Sequence, residues 1–570
     1  MLMIKIEMMK KLITYITCGT IFFSVGCKKF LTEEPRDVPS VGTFLNNETE
    51  MNYALNAIYR SMEPDVTPTE AFTDVWTDIG VPRAVELGEG NFDTYNTLVK
   101  TIWAGNYTSI QEANSMLDGM VRGKDNVLNP QNYNRMEAEA RVLRVYAYHR
   151  LVFMFGDVPL ITKPLQPAEY KTQSRTAKSD VVKFMYDELD KAVAALNYKS
   201  DRGRVNKAVA LGLKARIALY NKDYGIAAQA AKLVMDEAGL SLNPRFQDLF
   251  TRSGQKPNTG GEIMFEVLYS DAYAKAYNWV AYAETSRNAN GQSGRFPTQR
   301  LVDMFEASDG KRIDESAVYK PATPRLNRDQ RLKYTVAMPG DTVTMNLTTL
   351  VYDIYSSTFR LRNLDGTWST KSNQDFSSAF GPAKSGVGYL WMKYAMTDED
   401  NSISRVSFIL MRYAEILLTY AEAKIELGLG EMDGSVKDVI NLVRKRAGQP
   451  PVPIAIQGNQ QELRKLIRRE RNAELAGEGF RWVDIRRWGI GDLVMPGNIA
   501  GIAKSSSLVL PIPNFKLSAT HDLNSIPDYT GQLDQRITRE VRYWFPRLNL
   551  MPIPQSERDI ATSLSQNPGW

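Results

Sequence analysis

Residues 206–238 run NKAVALGLKARIALY, then NKD, then YGIAAQAAKLVMDEA. Leu211, Ala215 and Ala218 recur at the spacing of one helix face. After the short polar break, Tyr224, Ala227, Ala231 and Val234 do the same. Small residues on two facing stripes let antiparallel helices approach closely, so the stretch reads as a helical hairpin.

The same pattern recurs on both sides of it. A second hairpin is expected over 406–447, with Ile409, Tyr413, Ile416 and Tyr420 on its first stripe and Val436, Ile440 and Val443 on its second. Upstream, Ala140, Leu143, Ala147, Leu151 and Met154 mark a long helix that Gly156 and Pro159 stop. His149 sits inside that helix with no second His or Cys beside it, and reads as structural. Trp103, Tyr107, Ile110 and Asn114 also follow helical spacing, which makes Trp103 a core residue. Such hairpins resemble tetratricopeptide repeats.

Between the hairpins the chain changes character. Over 240–400, Gly, Pro, Asn, Ser, Thr and Asp become frequent and long stripes disappear. Alternating pieces such as Thr342-Val343-Thr344-Met345 suggest small strands and loops. Residues 488–548 are similarly loop-rich. Long irregular segments within a folded domain usually carry function. The expected fold is mostly α, a superhelix of hairpins with a loop-rich region and few short strands.

Composition narrows the function. A net charge of +5 on 570 residues, with acidic and basic residues interleaved, is too small for a nucleic-acid footprint. The densest basic run, Arg464 to Arg487, is interrupted by Glu470, Glu474, Glu478 and Asp484. Asp484 lies three residues from both Arg481 and Arg487, so ion pairs on a helix face account for it. The two Cys, Cys18 and Cys27, both lie at the N-terminus, which leaves the body without a disulfide or thiolate nucleophile. The two His, His149 and His521, cannot build a multi-His metal site. No cofactor is expected.

The N-terminus sets the compartment. Lys10 and Lys11 precede an apolar run, Leu12 to Val25, that fits a secretion signal and is too short to span a membrane. It ends in Ser24-Val25-Gly26-Cys27, which resembles a bacterial lipobox, although Ser24 departs from the usual Leu. Residues 1–26 are thus read as a signal peptide, Cys27 as the acylated residue and 27–45 as a tether that Pro35 and Pro39 keep from being helical.

Four stretches together resemble the SusD/RagB family of nutrient-uptake lipoproteins. They are Phe155-Gly156-Asp157-Val158-Pro159-Leu160; Arg412-Tyr413-Ala414-Glu415-Ile416-Leu417-Leu418 with Tyr420-Ala421-Glu422-Ala423; Arg468-Arg469-Glu470-Arg471-Asn472-Ala473-Glu474-Leu475 with Glu478-Gly479-Phe480-Arg481-Trp482-Val483-Asp484-Ile485-Arg486-Arg487-Trp488; and Leu550-Met551-Pro552-Ile553-Pro554 with Asn567-Pro568-Gly569-Trp570. Arg412, Glu415, Glu422, Glu470 and Arg471 are expected to form buried or half-buried ion pairs that join helices, with Trp482 and Trp488 packed into the junction. The resemblance implies one domain over 46–570: a helical half (46–239), a loop-rich ligand-binding region (240–400) and a C-terminal half (401–570). It also implies a lipid-anchored protein on the outer face of the outer membrane. Such a protein binds an oligosaccharide, or in some members a peptide, and hands it to a SusC-type TonB-dependent transporter.

Exposed aromatics in irregular segments are the candidates for ligand contact: Trp76, Trp279, Tyr282, Tyr389 and Trp391. Trp76 lies in Thr73-Asp74-Val75-Trp76-Thr77-Asp78 with Arg83 nearby, and Trp279 sits among Tyr273, Tyr277 and Tyr282. A ring face for stacking beside carboxylate and guanidinium groups, here Asp78 and Arg83, suits a sugar. The alternatives are a surface glycoside hydrolase and a purely structural lipoprotein. The hydrolase needs two carboxylates across a cleft, and pairs such as Asp74 and Asp78 arise by accident in a chain with 65 acidic residues. No G-x-S-x-G, H-E-x-x-H, P-loop or dinucleotide motif is present.

Overall fold

The computed structural model describes residues 44–63, 73–84, 86–127, 129–269, 278–396, 398–428, 434–518 and 523–570. The expected signal segment, Cys27, most of the tether, Tyr273, Tyr277 and His521 lie outside the described residues.

Helices dominate the first half: α1 (Glu48–Arg60), α2 (Thr97–Gly119), α3 (Pro130–Phe155), α4 (Lys178–Ala195), α5 (Lys207–Tyr220) and α6 (Tyr224–Glu237). Asparagine starts four of them. The side chains of Asn47, Asn96, Asn129 and Asn206 each accept a hydrogen bond from a backbone N–H of the first turn, which satisfies donors that no helical carbonyl can reach. Only Asn221, Lys222 and Asp223 separate α5 from α6. Lys222 has φ +66° and Asp223 N–H donates to Ala218 O at 2.9 Å, so the chain folds straight back.

Further along come α7 (Trp279–Glu284), α8 (Tyr413–Glu426), α9 (Ser435–Arg446), α10 (Gln460–Leu475) and α11 (Arg481–Arg487). Helix α8 packs on α6, α9 and α10. The hairpins are joined by a buried ion pair between Arg216 and Glu415 at 2.6 Å. One boundary differs from the sequence reading. Phe408–Arg412 is a strand, so Ile409 belongs to a sheet and not to the helix that follows. All five of its residues are buried, and an apolar run of that length fits a buried strand as well as a helix.

Strands are short: β1 (Gly80–Pro82), β2 (Ile263–Val267), β3 (Arg295–Pro297), β4 (Thr342–Met345), β5 (Thr348–Val351), β6 (Thr358–Arg362), β7 (Trp368–Ser372) and β8 (Phe408–Arg412). β4 to β7 form an antiparallel meander, whereas β1 pairs only with β3 and β2 only with β8. The loop-rich region has its own core of Ile79, Val81, Phe296, Leu301, Tyr352, Tyr389 and Trp391.

The four motif stretches meet in space. Gly156 ends α3 at φ +76°, where a Cβ would lie 2.9 Å from Leu550 Cδ1. Asn567 then ties the C-terminal segment down, donating to Phe155 O at 2.9 Å and Met551 O at 2.7 Å. The acidic and basic residues of the other two stretches form a buried ionic junction. Arg412 binds Glu474 at 2.5 Å, Glu478 at 2.7 Å and Glu262 at 3.1 Å. Arg331 binds Glu470 and Asp329, each at 2.6 Å. Glu422 binds Arg487 at 2.6 Å and accepts from Trp488 Nε1 at 2.8 Å. Asp484 binds Arg487 at 2.7 Å and Arg471 at 3.2 Å, but Arg481 turns away to Asp78 at 2.8 Å. Lys393 donates to Glu478 at 2.6 Å, and burial pulls its ammonium down to about 8.

These pairs set a pH profile. Burial would raise the Glu422 carboxyl, but Arg487 and Arg471 hold it down at about 2; Arg446 and Arg412 likewise hold Glu474 well below the carboxylate range. Their stabilisation is present above the unfolded carboxylate pKa and is lost as pH falls through the folded values. Burial outweighs the hydrogen bonds and cations around Asp74, Asp375 and Glu284 and pushes them up to about 6, about 6 and about 7. Their contribution is full below the unfolded pKa and is lost as pH rises through those values. The urea midpoint is therefore expected to rise from about pH 8 to about pH 5 and to fall below about pH 4. A steady increase across the whole range contradicts this assignment.

Candidate functional site

Helix α7 is short, and its sequence sorts its faces. Val280, Ala281, Ala283 and Glu284 are buried, while Trp279 and Tyr282 are half-buried. Three residues apart, the two rings share the outer face. Asn278 fixes the start of the helix: its side chain accepts from Val280 N–H at 3.0 Å and donates to Val406 O at 2.9 Å. Arg295 lies beneath, its Cζ 5.6 Å from the Trp279 ring centroid and its guanidinium paired with Glu284 at 2.5 Å.

The loop from α7 to β3 brings Arg83 to this face. Gln292 N–H donates to Tyr282 O at 3.1 Å, and Arg83 Nη1 donates to Gln292 O at 2.8 Å. Arg83 continues β1, and its own N–H donates to Gly294 O at 2.8 Å. The turn needs Gly291, since a Cβ there would stand 2.3 Å from Thr285. A second loop adds Phe380, which is 56% exposed, with Arg83 Cζ 5.1 Å from its ring centroid. Asp375 fastens that loop to the first. Its carboxylate accepts from Ser286 Oγ at 2.6 Å, Arg287 N–H at 2.9 Å and Asn288 Nδ2 at 2.9 Å. Burial lowers the Arg83 pKa, and the nearby Arg287 charge lowers it further. Half-buried Trp279 and Tyr282 on α7 and exposed Phe380 are thus linked through Arg83 and the 285–294 loop.

Of the seven candidate ligand residues, Arg83, Trp279 and Tyr282 come together here. Four do not. Trp76 is fully buried, its ring edge-on to Trp482 at 5.7 Å and its indole N–H donating to Glu86 at 2.5 Å. Its polar neighbours are turned inward too: Asp74 accepts from Gly477 N–H at 2.8 Å and Arg481 N–H at 3.0 Å, and Asp78 pairs with Arg481. Burial would raise Asp78, but Arg481 and Arg300 keep it below the usual carboxylate range. Tyr389 and Trp391 belong to the core of the loop-rich region. Tyr389 donates to Gln299 Oε1 at 2.5 Å, and Trp391 pairs with Val336 and packs on Gly477. Trp103 is buried as expected. His149 is buried among the rings of Tyr146, Phe153 and Tyr220. Phe380 and Arg287 escaped the sequence reading, although an aromatic residue just before Gly381-Pro382 was a usable signal.

Among the described residues no group of three or more His, Cys, Asp or Glu side chains is placed to hold a metal ion. No helix among them is long and apolar enough to cross a membrane.

Comparison with known proteins decides the family. The SusD family model matches residues 261–570, and a second model, described as starch-binding associating with outer membrane, matches residues 29–219. The chain belongs to the SusD family. SusD-like protein P2 of Formosa agariphila is 26% identical over 540 residues, covering 89% of this chain and 97% of that protein. A SusD-like protein of Bacteroides ovatus is 24% identical, covering 78% and 79%. Among solved structures, a SusD-like carbohydrate binding protein from Bacteroides fragilis superposes with a TM-score of 0.77 at 25% identity, covering 92% of this chain and all of that one (100%). A laminarin binding SusD-like protein superposes at 0.61 with 20% identity, covering 92% and 100%. In this SusD family chain the motif residues build the ionic junction and the packing around it, and none of Trp279, Tyr282, Arg83 and Phe380 belongs to the motif stretches.

Proposed function

We propose that this chain is a cell-surface glycan-binding lipoprotein, without catalytic activity, that captures an oligosaccharide and passes it to a SusC-type TonB-dependent transporter. The observation that carries the reading is the Trp279, Tyr282, Arg83 and Phe380 face on a SusD family fold. Ring faces stack on the apolar sides of pyranoses, and guanidinium groups donate to hydroxyls. Stacking contributes about 0.5–1.5 kcal/mol per ring beyond area burial. With the area the rings bury added, two or three of them support a weak affinity, roughly micromolar to millimolar, which suits a protein that must release its ligand.

The test is affinity electrophoresis in gels containing polysaccharides such as starch, laminarin, xylan and pectin. The wild type should be retarded by at least one of them. Trp279→Ala combined with Tyr282→Ala should weaken the retardation strongly, while the unfolding free energy falls by much less than the ~3–5 kcal/mol per site of a core aromatic truncation, because both rings are only half-buried. Undiminished retardation by the double variant sinks the assignment of the face. Anchoring is tested separately. Cys27→Ala should leave the protein unprocessed or free of membranes, and a processed variant that still sediments with membranes rules out Cys27 as the acylated residue.

A further inference from the structure

A cavity of about 410 Å³ opens between the loops around 319–325, 338–340, 353–355 and 505–513, and shares no lining residue with the Trp279 face. Its size falls in the range of small-molecule sites, about 300–1,000 Å³.

The floor is a chain of hydrogen bonds. Gln299 Oε1 accepts from Tyr389 Oη at 2.5 Å and Arg536 Nη1 at 2.8 Å, and Gln299 Nε2 donates to Asp303 at 2.9 Å. Tyr529 Oη donates to the other Asp303 oxygen at 2.7 Å. These groups are buried and satisfied, so the floor is rigid. Two ring walls rise from it. Arg328 covers the Tyr319 ring at 5.1 Å, and Tyr355 is pinned by its hydroxyl, which donates to Ala503 O at 2.8 Å. Five prolines, at 321, 324, 339, 511 and 513, stiffen the sides. At the rim, Arg325 pairs with Asp341 at 3.1 Å, Asp353 accepts from Tyr355 N–H at 2.7 Å, and Ser505 and Ser506 add hydroxyls.

Resting on the glycan-binding function proposed above, we propose that this cavity is a second saccharide site, taking one or two sugar rings of a short oligosaccharide. The walls present ring and proline surfaces to the apolar sides of a pyranose. The rim carries a guanidinium, a carboxylate and two hydroxyls, which between them donate to and accept from sugar hydroxyls. The geometry is already in place, so binding costs little ordering of the protein. A second site would let the protein hold one chain at two points, or hold a fragment while the outer face engages the next.

The site is tested by saturation-transfer NMR with four probes: maltotriose, laminaritriose, xylotriose and trigalacturonate. Three proteins are compared: wild type, the Trp279→Ala/Tyr282→Ala variant, and Ser506→Trp, which fills the cavity from an exposed position. At least one probe should still bind the outer-face variant, and Ser506→Trp should weaken that binding by about tenfold or more. A fourth protein, Asp353→Asn, should weaken the same binding more mildly while its circular dichroism stays that of wild type. If no probe shows binding that Ser506→Trp weakens, the second site is overturned. If only the outer-face variant loses binding, the face stands and the cavity falls; if only Ser506→Trp does, the reverse holds.

Discussion

Arg412→Ala is expected to lower folding stability by about 3–5 kcal/mol, the range found when one partner of a buried ion pair is removed. The Arg412 guanidinium serves three carboxylates, those of Glu262, Glu474 and Glu478, and also donates to Glu474 O at 2.8 Å. All of these groups are buried. Without Arg412, Glu478 keeps Lys393 and Glu474 keeps Arg446 and Arg331, so the junction retains some neutralisation and the loss stays within that range. Urea denaturation at neutral pH measures it. Arg412→Lys should fall in between, because one ammonium cannot bridge the carboxylates as the planar fork does. A change below about 1 kcal/mol for the alanine variant contradicts the structural role of the junction.

Trp76→Ala is expected to cost about 3–5 kcal/mol, the usual range for a buried aromatic truncated to alanine. The indole is enclosed against Trp482, and its N–H would leave Glu86 without that donor. Burial raises the Glu86 carboxyl while Trp76 lowers it, so the orphaned group adds to the cavity cost. Ligand retention measured on the folded fraction should be unchanged. Trp279→Ala should do the reverse, lowering retention with a far smaller loss of stability, because its ring is only half-buried. If Trp76→Ala is as stable as wild type, its burial is wrong.

The fold was legible because it rests on periodicity. Small-residue stripes place α5 against α6, and the Gly156 and Pro159 stop falls where α3 ends. The ion pairs of Arg412, Glu415, Glu422, Glu470 and Arg471 were legible because buried charges must be partnered. The candidate face was only partly legible. Trp76 and Trp279 look alike in sequence, each an aromatic in a polar, irregular stretch. What separates them is long-range: Trp76 meets Trp482, some four hundred residues away, and its carboxylate neighbours are consumed by backbone and Arg481. Tyr389 and Trp391 failed for a related reason. A loop-rich region large enough to hold its own core buries aromatics at no periodic spacing. Phe380 becomes a candidate only once Asp375 is seen to fasten its loop to the turn at 286–288.

On the proposed function, this SusD family chain binds glycan and leaves it intact. Asp74 and Asp78, the carboxylates that could suggest hydrolysis, are buried and held by backbone N–H groups and by Arg481. The most direct measurement incubates the protein with the oligosaccharide series of whichever polysaccharide retards it, and follows chain length by chromatography. The account predicts retardation in the gel with every chain length unchanged after prolonged incubation. Shortened products that vanish in an Asp74→Asn or Asp78→Asn variant still folded by circular dichroism would contradict it.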